Sequence, residues 1–122
     1  MSAYCDAFGA PRVEIEVEGS RGTVQVSALL DSGFDGDVSL PIGVAIQLGL
    51  ELQDVITVEL ADGSLSDELV FAGYLLDQGQ ERRVSVLLTR SEEALLGLGL
   101  LRGCRVILDF GTGAAEITPS QG

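Results

Sequence analysis

An aspartate, a serine and a glycine follow one another at residues 31–33, directly after the apolar residues Ala28, Leu29 and Leu30. An aspartate at the end of an apolar strand loses water, and desolvation or a second carboxylate nearby raises its pKa and suits it to proton transfer. Ser32 adds a hydroxyl for hydrogen bonds within the loop. Gly33 lets the chain turn tightly and lets another backbone approach closely. The alternative is an ordinary strand end followed by an Asx or Ser turn, which is the usual meaning of Asp-Ser-Gly alone.

Two missing residue types restrict the chemistry that the chain can perform. The sequence contains no histidine, and all seven of its basic residues are arginine. Ser-His-Asp and Cys-His pairs and the usual histidine-containing zinc sites therefore cannot be built. Schiff-base chemistry, Ser-Lys dyads and the phosphate-loop lysine are excluded as well. We expect no metal and no cofactor, and carboxylates are the expected acid and base of any enzyme built from this chain.

The chain is strongly acidic, with a formal charge of −12 and a pI of about 4.1. This charge repels nucleic acid and anionic membrane surfaces, so we expect neither as a partner. Neutral or basic partners fit better. Much of the charge is also explained by solubility alone.

Size and segment composition predict a single soluble domain over residues 1–122. Its 46% hydrophobic content is enough for a core. Cys5 and Cys104 form no C-x-x-C pair and are expected to be reduced thiols, with a disulfide left open. The first residues lack an export signal, and no stretch reaches the roughly 18 to 20 apolar residues of a membrane span. We therefore expect a cytoplasmic protein.

The hydrophobic pattern predicts a hairpin that delivers Asp31 to the protein interior. Residues 13–18 alternate apolar and acidic side chains, which indicates a strand with one solvated face. Residues 23–30 alternate at first and then become continuously apolar, as expected of a strand that enters the core. Residues 1–11 are expected to be a loose start, and residues 118–122 a frayed tail.

The rest of the chain predicts further short strands and little helix. A strand at 38–40 precedes a helix that begins near Pro41 and ends at Gly49. Asp62-Gly63 is a turn signal within a long hairpin of strands 55–60 and 65–76. The remaining predicted segments, in order, are a turn at 77–80, a strand at 82–88, a loop with a Leu-Leu-Gly segment and a short helix ending at Gly103, and a hairpin of 105–110 and 115–117. Short strands with glycine turns predict an all-β closed sheet or barrel-like sandwich.

The order of these features resembles the retropepsin-like aspartic proteases. The shared features are the Asp31-Ser32-Gly33 loop, the hairpin at Asp62-Gly63 and Leu95-Leu96-Gly97 before a short helix. Within that family the sequence is similar to a small prokaryotic group whose catalytic segment runs Asp-Thr-Gly-Phe, here residues 31–34, followed by Ser-Leu-Pro, here residues 39–41. The resemblance covers residues 13–117 and implies one retropepsin-like domain.

The resemblance implies that two aspartates activate a water that attacks a peptide carbonyl. Two carboxylates about 3 Å apart share one proton, so that one acts as base and the other as acid; aspartic proteases are the standard example. A second Asp-Ser/Thr-Gly is absent from the sequence, because Asp62-Gly63-Ser64 and Asp109-Phe110-Gly111 have the wrong order. The missing half must come from a second copy, which predicts a two-fold homodimer with Asp31 of each subunit at the axis.

The resemblance also implies roles for the neighbouring residues. Ser32 braces the two loops across the axis, Gly33 accepts the substrate main chain and Asp35 contacts the substrate backbone. The hairpin at Asp62-Gly63 corresponds to a flap that closes over substrate. Leu95, Leu96 and Gly97 pack beneath the catalytic loop as support.

Other carboxylates are weaker candidates. Asp109 lies between Leu108 and Phe110 and is the second-choice titrating group. Glu14, Glu16 and Glu18, together with Glu92 and Glu93, are interpreted as solvated faces.

The sequence thus predicts an aspartic endopeptidase that acts on an extended peptide or protein substrate. Two alternatives also require Asp31. One is a non-catalytic dimeric peptide-binding module of the same fold. The other is a specialised self-processing or regulatory protease.

Overall fold

The computed structural model describes residues 1–120. Within these residues the chain forms ten strands and two short helices. In chain order they are β1 (Ser2–Cys5), β2 (Pro11–Gly19), β3 (Gly22–Leu30), β4 (Val38–Pro41), α1 (Ile42–Leu48), β5 (Glu51–Glu59), β6 (Leu65–Asp77), β7 (Gln80–Thr89), β8 (Leu95–Leu96), α2 (Leu98–Leu101), β9 (Cys104–Asp109) and β10 (Ala114–Pro119).

All ten strands belong to one sheet in the order β5-β6-β7-β4-β8-β3-β2-β1-β10-β9. An additional pairing of β2 with β6, through Val17 and Leu75, closes six of the strands into a barrel. β1, β10 and β9 extend the sheet beyond the barrel on the side of β2. The predicted all-β fold with a closed sheet is confirmed.

The hairpin of β2 and β3 shows how the alternating sequence builds the core. Val13, Ile15 and Val17 of β2 are at most 2% exposed, because every second side chain of a strand points to the same face. The glutamates between them lie on the other face. From the remaining elements, the core receives the fully buried residues Leu40, Val86, Leu96 and Leu100. Burying each such side chain stabilises the fold by about 1.5–3 kcal/mol.

The helix prediction before Gly49 is confirmed. α1 ends where Gly49 adopts a left-handed conformation, with φ of 65°, and its N–H donates to the carbonyl oxygen of Ile46. Glycine adopts this conformation without a steric penalty. Within residues 1–120, no helix is both long and apolar enough to cross a membrane.

The start of the chain differs from the prediction of a loose segment. β1 pairs antiparallel with β2 over four residues and contacts β10 at Ala114. The Tyr4 hydroxyl lies 3.0 Å from Glu14 Oε1 and 2.6 Å from Ser27 Oγ, so it ties β1 to the two neighbouring strands. A strand of only four residues is too short for its pattern to be recognised in the sequence, and pairing with long-range partners decides it.

The end of the chain also differs from prediction. Thr118 and Pro119 belong to β10 and pair with Arg105 and Cys104 of β9. The N–H of Ser120 then donates to the carbonyl oxygen of Gly103 at 2.7 Å. The tail predicted at 118–122 is therefore wrong for residues 118–120, and residues 121–122 lie outside the described part of the chain.

Candidate active site

Asp31 directly follows β3, where that strand lies beside the two-residue strand β8. The N–H of Asp31 donates to the carbonyl oxygen of Leu96 at 3.0 Å. β8 pairs parallel with β3 on one side and antiparallel with β4 on the other. Residues 31–37 therefore form the loop that connects β3 to β4 near β8. The hydrogen bond from Asp31 to Leu96 of β8 fixes where this loop starts.

The loop turns tightly on the Asp31 side chain. Asp31 Oδ1 accepts a hydrogen bond from the N–H of Gly33 at 2.9 Å, and the carbonyl oxygen of Asp31 accepts one from Phe34 at 3.2 Å. Asp31 is half-buried, whereas Ser32 and Gly33 are exposed. Among residues 1–120, no donor lies within hydrogen-bond distance of Asp31 Oδ2. This oxygen is free to bind a water or a second carboxyl group.

The helix α2 supports the loop from beneath. The backbone N–H groups of Gly97, Leu98 and Gly99 donate to the carbonyl oxygens of Asp37, Phe34 and Gly36 at 2.9, 2.8 and 3.0 Å, respectively. A side chain at position 97 would clash with the Gly36 carbonyl and would place its Cβ 2.6 Å from the Phe34 oxygen. The structure thus brings Leu95, Leu96 and Gly97 against the Asp31 loop, in the place where the sequence analysis predicts a supporting segment.

Asp37 is a structural member of the loop that the sequence analysis does not identify. Its Oδ2 accepts a hydrogen bond from the N–H of Ser85 in β7 at 3.0 Å, and the residue is half-buried. The side chain therefore anchors the end of the loop to the barrel. The only signal in the sequence is a carboxylate directly before a strand, which does not reveal a donor 48 residues away.

A cavity of about 550 Å³ lies beside the loop, and the β5–β6 hairpin contributes one of its walls. Gly33, Phe34 and Asp35 line it, so the predicted substrate-binding residue Asp35 faces this space. Asp31 and Ser32 directly precede Gly33 in the chain, and neither is among the described residues that line the cavity. The other lining residues are Gly36, Ser39, Ile56, Val58, Glu68, Leu87, Leu88, Thr89 and Leu95.

The cavity combines an apolar surface with two carboxylates. Its charged lining residues within the described chain are Asp35 and Glu68, and both are acidic. Glu68 pairs across the hairpin with Ile56, so the two side chains lie on the same face and both line the cavity. An uncharged or basic chain is the ligand that this surface accommodates without electrostatic repulsion. The sequence does not reveal Ile56, Val58 and Glu68 as site residues, because strand alternation alone does not say which face covers a cavity.

The tip of the hairpin holds its own carboxylate within the turn. Asp62 Oδ1 accepts hydrogen bonds from the N–H and the hydroxyl of Ser64, at 2.9 and 2.6 Å. These two bonds hold the pKa of Asp62 below its usual value. Gly63 has a positive φ of 84°. Of the residues that the structure describes, those lining the cavity do not include Asp62 or Gly63, so direct substrate contacts by these two residues stay a prediction.

Three charged residues join the start of β2 to the segment before β8. Arg12 Nε donates to Asp6 Oδ2 at 2.9 Å, and its two terminal nitrogens donate to the carboxylate of Glu93. The hydrogen bonds from Arg12 lower the pKa of both carboxyl groups, and those from the two carboxylates raise the pKa of Arg12. The side chain of Glu93 is still 43% exposed, as expected of a solvated residue, and the structure adds its ion pair with Arg12. No local pattern reveals a pair that lies 81 residues apart.

Asp109 is not suited to the titrating role that the sequence analysis gives it as second choice. It is exposed, and its Oδ1 accepts hydrogen bonds from Gly111 at 2.9 Å and Thr112 at 3.1 Å. Hydrogen bonds from Thr112 and from the N–H of Gly111 lower the pKa of its carboxyl group. Asp109 thus stabilises the turn between β9 and β10 as an ionised residue. Within residues 1–120, no cluster of three or more acidic or cysteine side chains is arranged to hold a metal ion.

Two solved structures have the same architecture. EIAV protease, solved in complex with the inhibitor HBY-793, superimposes with a TM-score of 0.57 at 16% identity, over 84% of this chain and 97% of the protease. The solution structure of Simian Foamy Virus (mac) protease matches with a TM-score of 0.51 at 17% identity, over 74% of this chain and 92% of the protease. The chain has the retropepsin-like fold. No protein-family model matches the sequence, and no curated protein matches it.

The retropepsin-like fold is shared at 16% and 17% sequence identity with these two proteases. The roles proposed below for Asp31, Ser32 and Gly33 depend on the geometry of this chain.

Proposed function

We propose that the chain is an aspartic endopeptidase that acts as a homodimer, with Asp31 of each copy activating the attacking water. The observation that carries this proposal is the position of Asp31. It lies where β3, β8 and β4 meet, with Oδ1 held by the N–H of Gly33 and Oδ2 free within the described chain. A retropepsin-like fold, with a cavity lined by residues 33–36 of the loop that Asp31 begins, supports an aspartic peptidase mechanism.

In the proposed reaction, the two Asp31 carboxyl groups share one proton across the two-fold axis. The ionised carboxylate takes a proton from a bound water, and the water oxygen attacks the peptide carbonyl. The protonated carboxyl group gives its proton to the carbonyl oxygen, which forms a tetrahedral diol. The other Asp31, which now carries the proton from the water, passes that proton to the leaving nitrogen as the C–N bond breaks, and a diol hydroxyl returns its proton to the first carboxylate. Ser32 braces the loops across the axis, and the chemistry requires neither a metal nor a cofactor.

The cavity supports an extended peptide or protein as substrate. Residues of the loop and of the β5–β6 hairpin both line it. Their backbone groups are proposed to form hydrogen bonds with an extended chain. The hairpin is proposed to act as a flap that covers the bound peptide. The Asp31-Ser32-Gly33-Phe34 segment with Ser39-Leu40-Pro41 supports a place in the prokaryotic Asp-Thr-Gly-Phe group, and we propose a cytoplasmic location.

Replacement of Asp31 by asparagine tests the proposal. Asp31→Asn keeps the shape and the oxygen that accepts from Gly33, but it removes the shared proton chemistry. We expect peptide turnover on unfolded protein substrates between pH 3 and 7 to fall by about 10²–10⁴-fold or more. Glu16→Gln, at an exposed position on the outer face of β2, is the matched control and should leave turnover unchanged.

Unchanged turnover in Asp31→Asn would refute the catalytic role. Tight peptide binding without any turnover of the unmodified protein would instead identify a non-catalytic peptide-binding module. Cleavage of one partner or of its own precursor, with no cleavage of generic unfolded proteins, would identify a specialised processing protease.

A further inference from the structure

Arg12 connects two parts of the chain that lie on either side of the strand leading to Asp31. It belongs to β2 and pairs with Leu29 of β3, which in turn pairs with Leu95 of β8. Both terminal nitrogens of Arg12 donate to the carboxylate of Glu93, two residues before β8 begins. Since β3 lies between β2 and β8 in the sheet, this ion pair spans one strand.

The Arg12 guanidinium is held through all three of its nitrogens. Nε donates to Asp6 Oδ2 at 2.9 Å, and Nη1 and Nη2 bind the Glu93 carboxylate as a fork, with Nη2 at 3.2 Å from Oε2. The side chains of Arg12 and Asp6 are 18% and 19% exposed. A forked bond fixes orientation as well as distance, unlike a contact between two flexible surface charges.

Asp6 gives this arrangement a rigid base. Its Oδ1 accepts hydrogen bonds from the N–H groups of Phe8 and Ala10, both at 2.9 Å, within the turn between β1 and β2. The carboxylate therefore cannot follow a movement of the guanidinium without breaking these two bonds. Arg12 is thus fixed from the side of β1, and it holds Glu93 in a defined place.

The segment that contains Glu93 has few other fixed points. Residues 90–94 connect β7 to β8. The N–H of Ser91 donates to Thr89 Oγ1 and that of Glu93 to Ser91 Oγ, both at 3.0 Å, and both bonds are local. Among the residues that the structure describes, residues 90–93 form no hydrogen bond to a distant part of the chain except that between Glu93 and Arg12. The ion pair is therefore what fastens this segment to the sheet.

The short strand β8 depends on that fastening because it has only two residues. Two hydrogen bonds join β3 to β8 and to the residue before it. The N–H of Leu29 donates to the Ala94 carbonyl oxygen at 2.8 Å, and that of Asp31 donates to Leu96 at 3.0 Å. Glu93 immediately precedes Ala94, so a shift of Glu93 acts directly on the strand that positions Asp31.

The same segment joins two residues of the candidate substrate cavity. Thr89 precedes it and Leu95 follows it, and both line the cavity of about 550 Å³. Arg12 and Glu93 are not among the described residues that line this space. The other lining residues belong to the Asp31 loop and the strand after it, to the β5–β6 hairpin and to β7. The ion pair thus lies outside the cavity but next to one of its walls.

We propose that Arg12 is a positioning residue of the candidate active site, which holds β8 through Glu93 and thereby fixes the place of Asp31. The inference rests on the proposed function for the catalytic role of Asp31. The ion pair acts on the backbone of Asp31 through residues 94–96 and does not touch its carboxyl group. Loss of the pair lets β8 shift against β3, so Asp31 occupies its reactive position for a smaller fraction of the time.

Hydrogen exchange at single amides measures this coupling without a substrate. In Glu93→Gln, the N–H groups of Leu29 and Asp31 should exchange at least about fivefold faster than in the unmodified protein, because their acceptors lie in and beside the released segment. The N–H of Arg21 is the internal reference, since it donates to the Leu48 carbonyl oxygen at 2.9 Å at the far end of the β2–β3 hairpin. Equal acceleration of all three amides would show general destabilisation and would contradict the proposal.

Glu92→Gln is the matched control for the change of charge. It removes the same charge from the neighbouring residue, which is exposed and forms no ion pair within residues 1–120. Its exchange rates and its turnover should equal those of the unmodified protein. Arg12→Gln should reproduce the effect of Glu93→Gln, and the double variant should add little to Arg12→Gln, because both changes remove one interaction. Additive effects on kcat would mean that the two residues act independently, against the proposal.

Kinetics separate positioning from stability. Well below the melting transition, Glu93→Gln and Arg12→Gln should lower kcat about five- to twentyfold on a peptide substrate. KM should change less than about twofold, because most of the cavity lining is untouched. Ile15→Val is the stability control, since loss of one buried methyl group lowers the urea midpoint and leaves the ion pair intact. An equal loss of kcat in Ile15→Val would refute the positioning role.

Failure of this inference can be distinguished from failure of the proposed function. If Asp31→Asn abolishes turnover and Glu93→Gln matches the unmodified protein in amide exchange and kcat, the peptidase proposal stands and the positioning role of Arg12 is wrong. If Asp31→Asn retains full turnover and Glu93→Gln accelerates exchange at Leu29 and Asp31 alone, the link from Arg12 to Asp31 stands and the peptidase proposal is wrong.

Discussion

The backbone N–H of Asp31 donates to the carbonyl oxygen of Leu96 at 3.0 Å, and this hydrogen bond joins the proposed catalytic residue to β8. Leu96 is fully buried and also pairs with Val38 of β4. The position of Asp31 is thus set by a strand that begins only at Leu95, far along the chain. Changes in β8 and α2 are expected to affect the site even though these elements contribute no acid or base.

Gly97→Ala is expected to destabilise the protein. A Cβ at this position would clash with the Gly36 carbonyl and approach the Phe34 oxygen to 2.6 Å, so the loop or α2 must shift. Overpacking of this kind costs about 1–3 kcal/mol. Gly43→Ala in α1 is the control, because no atom lies within 4 Å of the added Cβ. The urea midpoint should fall for Gly97→Ala only, and equal midpoints would contradict the supporting role of α2.

Arg12→Gln is expected to lower stability at neutral pH but not in acid. Arg12 holds the pKa values of Glu93 and Asp6 below their usual range. Groups with a lowered folded-state pKa stabilise the protein above the unfolded-state value of about 4, and this stabilisation is lost as pH falls through the folded-state value. The melting temperature should fall by about 2–5 °C at pH 7, because the three groups are partly screened by solvent.

The pH series itself provides the control for Arg12. The difference in melting temperature between the unmodified protein and Arg12→Gln should shrink as pH decreases from about 5 to below 3. A difference that stays constant across this range would indicate lost packing of the arginine side chain rather than lost ion pairs.

Ser64→Ala is expected to loosen the hairpin tip with little effect on global stability. The change removes the hydroxyl that donates to Asp62 at 2.6 Å and keeps the backbone donor at 2.9 Å. Since the turn is exposed, unfolding free energy should change by less than about 0.5 kcal/mol. If the hairpin closes over substrate, KM should rise about two- to fivefold. Ser20→Ala, which removes a 2.6 Å hydroxyl bond to Gly49 elsewhere, should leave KM unchanged.

Glu68→Gln is expected to weaken the preference of the cavity for basic substrate residues. Glu68 and Asp35 are the charged residues of the lining within the described chain. Cleavage of peptides with lysine or arginine near the scissile bond should fall about two- to fivefold relative to neutral analogues, with a smaller difference at high salt. Glu59→Gln is the control, because alternation along β5 puts Glu59 on the face opposite to Val58. An equal effect of both variants would point to net charge rather than to the cavity.

Local patterns in the sequence predict most elements that carry the site. The alternation at 13–18 predicts β2, the glycine at 49 predicts the end of α1, and Asp62-Gly63 predicts the hairpin of β5 and β6. Each of these signals is local, since a period, a turn residue or a cap depends on residues a few positions apart. β1 has no such signal, and it forms because β2 and β10 lie on either side of it.

The sequence by itself determined the chemistry available to this protein. With no histidine and no lysine, carboxylates are the acid and base of the proposed reaction, and the single Asp-Ser-Gly supplies one half of the proposed catalytic pair.

Only the tertiary structure decided which residues, distant in sequence, hold the Asp31 loop and the neighbouring strand β8 in place. These are the Leu96 carbonyl beneath Asp31, the Ser85 N–H at Asp37 and the Arg12 pair with Glu93. The physical reason is that hydrogen bonds and ion pairs between residues distant in sequence depend on strand order and register. No short stretch of sequence encodes that order, which becomes fixed when the whole sheet assembles.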